Sequence, residues 1–529
     1  MKRDFSLLTN QPFDLLVCGG GIYGAWTAYD AALRGLRVAL VEQGDWASAT
    51  SSASSKLIHG GLRYLETYDF KLVKKALAER QMLLAMAPHR IWPLRFGVPV
   101  YQDSRIGFLR LKAGLMLYDF LAAAPCSDAS ADMRHRHFKR QTFSEHFPDL
   151  DSSGLCGGFT YGDAQTDDER LVLELVAGAM EAGAVCVNYC KLTGLIETGG
   201  RVTGATVRDQ QAHTSTEISA QQIVYTTGQW TAAAGQGRAW CRMSKGIHLV
   251  MPAMRLKEAL LLTAKSDGRV FFIIPWYGMT LLGTTDTDYR GDIEQVVAEP
   301  EEVAYLLAEA NAYLNIAWTK NDVVGSYAGV RVMKRSELSA PSAVSRDWEL
   351  KTASNGAHYS IGGKITSARV DAAGIVDTVC AQLSVDAPCP TGNRPFPWSP
   401  EKMSEQKYTD WFDENIARAK LLGIDQDSAF WLLRRHAKRV DEVFNIVITD
   451  ARLAERIISS LPFIYADLLY SAQNEMVIHL DDLLRRRMPL LILARLDAND
   501  LRRIAASVAP LLGWDESSIN LEIAACLQR

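Results

Sequence analysis

Residues 50–66, TSSASSKLIHGGLRYLE, crowd hydroxyl, ammonium, imidazole, guanidinium and phenol side chains into one short stretch. Serine and threonine compete with the backbone for hydrogen bonds, so Thr50, Ser51, Ser52, Ser54 and Ser55 are poor material for a helix interior or a core strand. With Lys56 and the loop amides, they suit phosphate oxygens and the polar edge of an aromatic ring. The competing reading is a flexible serine linker, which the run Lys56, His59, Gly60, Gly61, Arg63, Tyr64 argues against. Upstream stands a second group, Gly19-x-Gly21-x-x-Gly24, followed by Glu42. Gly19 permits a tight turn, Gly21 lets backbone approach a pyrophosphate, Gly24 lets a helix lie close to its strand, and Glu42 accepts from ribose hydroxyls. Isolated glycine turns are common, but here strand, helix, second strand and acidic residue fall in register. The pattern predicts dinucleotide binding without separating NAD from FAD.

Positioning these groups requires a βαβ unit. Leu15–Cys18 is a short apolar run, Ala25–Leu33 has helical spacing, Gly35 closes it, and Val38–Val41 is a second apolar run. An amphipathic helix follows from about Phe70 to Met86, and residues 106–121 are helical in length and unusually apolar. RVFFIIPWYGMTLLGTTDTDY predicts a hairpin about Tyr277-Gly278, and DVVGSYAGVRVM another strand. Five prolines between Pro388 and Pro400 mark a linker. Beyond it residues 404–529 are periodic as helices, predicting a separate all-α domain.

Composition narrows the function classes. A chain of 529 residues predicts two or three domains. Net charge −4 and pI near 6.2 give no support for nucleic-acid binding. Nine cysteines without a CxxC pair predict reduced thiols, and Cys186 and Cys190, with no histidine near, predict no metal site. The N-terminus is too short in apolar length for a signal peptide, and no run reaches the roughly 18–20 apolar residues of a membrane span. A cytoplasmic protein, or one lying peripherally on the inner face of the membrane, is expected.

The segment from Gly19 to Glu66 resembles the N-terminal part of bacterial FAD-dependent glycerol-3-phosphate dehydrogenases of the aerobic, quinone-linked kind. The likeness continues at YGDAQTDDERLVL, TTGQW, KGIHLVMP, FFIIPW, GTTDTDYRGD, YAGVR and IGGKIT. It implies an α/β fold: an FAD-binding Rossmann-like domain, a β-sheet substrate domain like that of D-amino-acid oxidase, and the C-terminal helices. The expected oxidoreductase region is 1–388, with FAD-domain segments at about 12–90, 155–240 and 330–388 and substrate-domain segments at about 91–154 and 241–329. A linker at 389–403 and helices at 404–529 follow. The resemblance also implies FAD as cofactor and oxidation of sn-glycerol 3-phosphate to dihydroxyacetone phosphate, with electrons passing to a membrane quinone.

That substrate carries a phosphate and a secondary alcohol. Phosphate suits arginine forks, and Arg63, Arg331 and Arg346 lie on matching segments, with Tyr64 beside them. A proton must leave the hydroxyl while hydride goes to flavin N5, and His248 and His59 are the candidate bases. Lys364 would stabilise reduced flavin or hold substrate oxygen. Gly362, Gly363, Thr366, Thr227 and Gly228 would contact flavin. Three departures bear on the substrate: Val332 after Arg331, Tyr225-Thr226 with Gln229, and no tyrosine after Lys364-Ile365. Another polyol phosphate such as a tetritol phosphate, an oxygen-using oxidase, and a non-catalytic flavoprotein are the alternatives. The helix at 106–121 is either interfacial, with Arg105, Arg110 and Lys112 meeting headgroups, or a core helix. Arg485-Arg486-Arg487 is expected on a solvated face, and a homodimer is the expected assembly.

Overall fold

Phe13–Cys18 forms the strand at the middle of an eight-stranded sheet, with Leu15, Leu16 and Val17 removed from solvent. Burial on both faces is the reason the run is continuously apolar. A computed structural model describes residues 1–122, 133–233, 240–335, 347–400 and 405–528. Phe13–Cys18 pairs in parallel with Val38–Val41 on one side and Ser215–Tyr225 on the other. The sheet extends to Val185–Val187 and, beyond Ser215–Tyr225, to His358–Ile361 and Glu349–Thr352. Helices Ile22–Leu33, Asp168–Glu181 and Ala368–Leu383 contribute to the core on one face. The antiparallel strands Cys190–Thr198 and Arg201–Asp209 contribute to the core on the other.

A second, ten-stranded sheet contains Cys241–Met251, Met279–Gly283, Val270–Trp276, Ala259–Thr263, Ile91–Tyr101 and Leu155–Thr166 in that order. The hairpin about Tyr277-Gly278 is formed as the sequence predicts. One face packs on the helix Pro300–Asn311. The other packs on Phe70–Met86, on Phe108–Ala122 and on the C-terminal helices, all in one apolar cluster.

The expected segment boundaries do not follow the sheets. Leu155–Thr166, expected with the FAD segments, pairs along its length with Ile91–Tyr101 in the second sheet. Gly325–Lys334, which contains Arg331, pairs there with Cys241–Met251. Neither strand carries a local mark of the sheet it joins, and only long-range pairing assigns them. The proline-rich stretch is no loose linker, because Phe396 and Trp398 are buried and the Trp398 N–H donates to Glu174 at 2.8 Å. Nor are the helices separate: Arg170 pairs with Glu475 at 2.6 Å, both fully buried. Arg486 and Arg487 are buried too, not solvated; Asp45, far off in sequence, is their partner.

Candidate active site

A cavity of about 1500 Å³ lies between the two sheets, with walls drawn from both. At one end is the glycine turn. Gly19 has φ +110°, and a Cβ there would meet the Thr226 carbonyl oxygen at 2.7 Å, while a Cβ on Gly24 would meet the Gly19 carbonyl at 1.8 Å. Only glycine allows this turn and this helix approach. Gly24 therefore works through packing and does not line the cavity. The Ile22 N–H, at the start of the helix, donates to Ser51 Oγ at 2.9 Å. Glu42 accepts from the N–H groups of Gly20 at 2.6 Å and Gly44 at 2.7 Å, holding its carboxylate at the cavity wall. Burial raises its pKa, and the two N–H bonds pull against that rise.

The serine loop is ordered, not a linker. Thr50 donates to the Val330 carbonyl at 2.6 Å, tying the loop to the second sheet, and Thr50, Ser51, Ser54 and Ser55 line the cavity. Ser52 and Lys56 do not. Ser52 donates to the Ala49 carbonyl at 3.3 Å. Lys56 points the other way, into Asp168 and, at 2.6 Å, Glu169. Burial alone would lower the ammonium's pKa, but the two carboxylates outweigh it and raise the value. The expectation that Lys56 meets the cofactor is corrected: a buried ammonium is taken by the nearest buried carboxylates.

At the other end the cations gather. The Tyr64 ring lies 3.6 Å from Lys364 Nζ and 5.2 Å from the Arg63 guanidinium. Arg63 lines this part of the cavity, and its Nη2 is buried with no hydrogen-bond partner in the structure. Arg331 Nη2 donates to Thr284 Oγ1 at 2.9 Å and Nη1 to the Thr285 carbonyl at 3.2 Å. Gly363 has φ +96°, and a Cβ there would meet the Tyr23 hydroxyl at 1.7 Å, so glycine lets the chain turn into the cavity before Lys364. Gly362, Thr366, Thr227 and Gly228 also line it. Arg346 lies outside the described residues.

The two histidines differ. His59 is on the cavity wall, edge-on to Phe272 at 6.4 Å, and its backbone N–H donates to Thr366 Oγ1 at 3.2 Å. His248 is 1% exposed and behind the wall, stacked on Tyr327 with its Nε2 2.8 Å from Ser55 Oγ. Burial first, then the charges of Arg331 and Lys56, hold the His248 imidazole down at about 3. Sequence reasoning missed Arg269, Phe272 and Thr284 on the same wall. FFIIPW and GTTDTDY carried the last two, whereas Arg269 has no local signal.

These elements fit a bound dinucleotide: a glycine turn that backbone can approach, a ribose-facing carboxylate, and a volume exceeding a small-molecule pocket. A model of the FAD dependent oxidoreductase family matches residues 14–369. One for the C-terminal domain of alpha-glycerophosphate oxidase matches 398–519. A Mycobacterium tuberculosis protein named glycerol-3-phosphate dehydrogenase 2 is 34% identical over 534 residues, 99% of this chain and 88% of the relative. The chain belongs to the glycerol-3-phosphate dehydrogenase family of FAD-dependent oxidoreductases. A Synechocystis member of this family is 34% identical over 548 residues, 98% of this chain and 97% of the relative. The X-ray structure of the family member from Bacillus halodurans, complexed with FAD, superposes with a TM-score of 0.80 at 27% identity, covering 99% of this chain and 95% of that one. Of the departures noted in the sequence, Tyr225 stacks on Tyr359 at 4.7 Å, and Gln229 donates to the Ile293 carbonyl at 2.6 Å. Val332 lines the cavity too.

Proposed function

We propose that this protein oxidises sn-glycerol 3-phosphate to dihydroxyacetone phosphate as an FAD-dependent dehydrogenase. The observation that carries the reading is one cavity with a dinucleotide turn at one end and Arg63, Arg331, Lys364 and His59 at the other. FAD held along this cavity would supply the two-electron acceptor for oxidation of the secondary alcohol. Arg63 and Arg331, both on the cavity wall, hold the phosphate. His59 accepts the hydroxyl proton, because it stands on the wall a substrate touches. His248 is the weaker candidate: protonated, it would place a third positive charge in a buried site beside Arg331 and Lys56. Its part is to orient Ser55. Lys364, over the Tyr64 ring, sets positive potential where negative charge develops.

The electrons pass on to a membrane quinone at a peripheral membrane face. A second cavity of about 710 Å³ supports this, sharing Leu62, Arg63, Arg105, Leu261 and Val270 with the first and continuing along Leu65 and Leu117. So does the helix Phe108–Ala122, where only Leu115 and Tyr118 are buried while Leu109 and Phe120 are 79% and 75% exposed. A core helix would bury those side chains. Among the described residues no helix is long and apolar enough to cross a membrane. A homodimer belongs to the same reading, with exposed Leu521 and Leu527 on the last helix as apolar surface for it; static light scattering decides that point.

The test is a visible spectrum before and after anaerobic addition of sn-glycerol 3-phosphate. A flavin band that bleaches is the expected result. A band that persists, but bleaches with a tetritol phosphate, moves the substrate to another polyol phosphate. A protein that takes up no FAD sinks the reading.

A further inference from the structure

Besides the Arg170–Glu475 pair, a second buried carboxylate, Asp45, joins the C-terminal helices to the dinucleotide half of the molecule. Asp45 lies three residues past Glu42, in the loop leaving the second strand. It has no contact with the cavity. Its Oδ1 accepts from Arg487 Nη2 at 2.9 Å and from Asn188 Nδ2 at 3.2 Å. Its Oδ2 accepts from Arg486 Nε at 2.6 Å and from Arg487 Nη1. The arginines are fixed in turn. Arg486 donates to Asp482 at 2.7 Å, Asp482 accepts from the Tyr189 hydroxyl at 2.6 Å, and Arg487 donates to the Glu475 carbonyl at 2.7 Å. Asp45, Asp482, Arg486 and Arg487 are all buried, with Tyr189 half-buried at the edge, so the charges interact with little solvent screening.

The neighbours of Asp45 make the bond consequential. On one side Gly44 donates its N–H to Glu42, and its carbonyl accepts from the Tyr189 N–H at 2.8 Å. On the other side Trp46 lies so close to the glycine turn that a Cβ on Gly20 would meet its ring at 2.4 Å. Asp45 thus sits between the residue that aims the ribose carboxylate and the residue that packs the pyrophosphate turn.

We propose that Arg486 and Arg487 are positioning residues for the cofactor: by clamping Asp45 they fix the 42–47 loop, so the C-terminal helices set the affinity for the adenosine half of FAD. This rests on the FAD reading above and adds a role for the helices to it. No arginine of the cluster touches the ligand. Each acts through the loop.

The experiment measures flavin fluorescence released when purified holoenzyme is diluted, and the thermal midpoint with and without added FAD. Arg487→Gln is expected to raise the FAD dissociation constant at least tenfold and to shrink the rise in midpoint that FAD gives, with part of both recovered in Arg487→Lys. A merely structural arginine would lower the midpoints of flavin-free and flavin-loaded protein equally and leave the dissociation constant within twofold; that result overturns the proposal. If Arg487→Gln does not fold, Tyr189→Phe removes one hydroxyl bond from the same cluster and leaves every charge paired. It is expected to weaken FAD about threefold, and an unchanged affinity refutes the clamp. A parent protein that takes up no flavin fails the functional reading itself, whereas a yellow parent with equally tight variants fails the clamp alone.

Discussion

Arg63 and Arg331 reach the cavity from different elements, the short 3-10 helix Leu62–Leu65 before the helix Phe70–Met86 and a strand of the second sheet. A hydrogen bond to a charged group contributes about 1.5–3 kcal/mol, so removing either guanidinium should raise KM for the phosphorylated substrate by roughly 10- to 150-fold. Arg63→Ala and Arg331→Ala are expected to do this in a dye-linked assay with FAD still bound; an unchanged KM would take that residue out of the phosphate site. His59→Asn should slow anaerobic flavin reduction by about 10²- to 10⁴-fold, the usual worth of a proton-transferring group, and His248→Asn by much less. The reverse order would return the proton to His248. His248 has a second consequence. Its folded value of about 3 lies below the unfolded value of 6.5, so the unfolded chain binds a proton that the folded chain refuses. Its contribution to stability is complete above pH 6.5 and is lost as pH falls toward 3. Between pH 6 and pH 5 the parent should lose about 1 kcal/mol more stability than His248→Asn, read from urea midpoints. At this scale the motifs were legible as a group: Gly19, Gly21, Glu42, Arg63, Arg331 and Lys364, singled out by local pattern or family likeness, all line one cavity. Lys56 was not, because Asp168 and Glu169 follow it by more than a hundred residues.

The helix Phe108–Ala122 is the element whose surroundings least explain it. Leu115 and Tyr118 anchor it, with the Tyr118 hydroxyl donating to Asp163 at 2.8 Å, while Leu109, Met116 and Phe120 face outward with Tyr68 nearby in sequence to Phe70, both exposed. An apolar side chain taken fully out of water contributes about 1.5–3 kcal/mol. Leu109→Glu combined with Phe120→Glu should therefore weaken binding to anionic vesicles at least tenfold, with dye-linked activity kept. Unchanged sedimentation with vesicles would remove this face from the membrane. Element type and span were legible wherever periodicity was strong: the helix runs from Phe70 to Met86, as the pattern predicts. Sheet membership was not. The strand Leu155–Thr166 carries no mark of the sheet it joins, and eleven residues of Ile91–Tyr101 select it. The helical pattern about residues 430–448 is broken in the structure by Ala437 at φ +47°, a backbone turn with no glycine to announce it.

The molecule as a whole is held by charges buried between distant segments. Trp398, fully buried, has the guanidinium groups of Arg439, Arg170 and Arg90 over its ring at 4.6, 5.5 and 5.7 Å. Replacing a buried tryptophan by alanine costs about 3–5 kcal/mol, and Trp398→Ala should lower the melting midpoint of the sheets and the helices together, as one calorimetric transition. A separate, unshifted transition for the helices would mean that they fold alone. Composition marked this segment as a linker because prolines and glycines read as loop, and it is irregular; nothing local says that such a loop is buried. The Asp45–Arg487 pair joins residues 442 apart. At a synthesis rate of about 5–20 residues per second, roughly 20–90 s pass between the appearance of the aspartate and that of its arginine. Throughout that interval the nascent dinucleotide half carries an unpaired carboxylate where the finished protein has an ion pair. A chain terminated before residue 486 never receives those partners, so on the clamp reading it would hold flavin more weakly than the full chain.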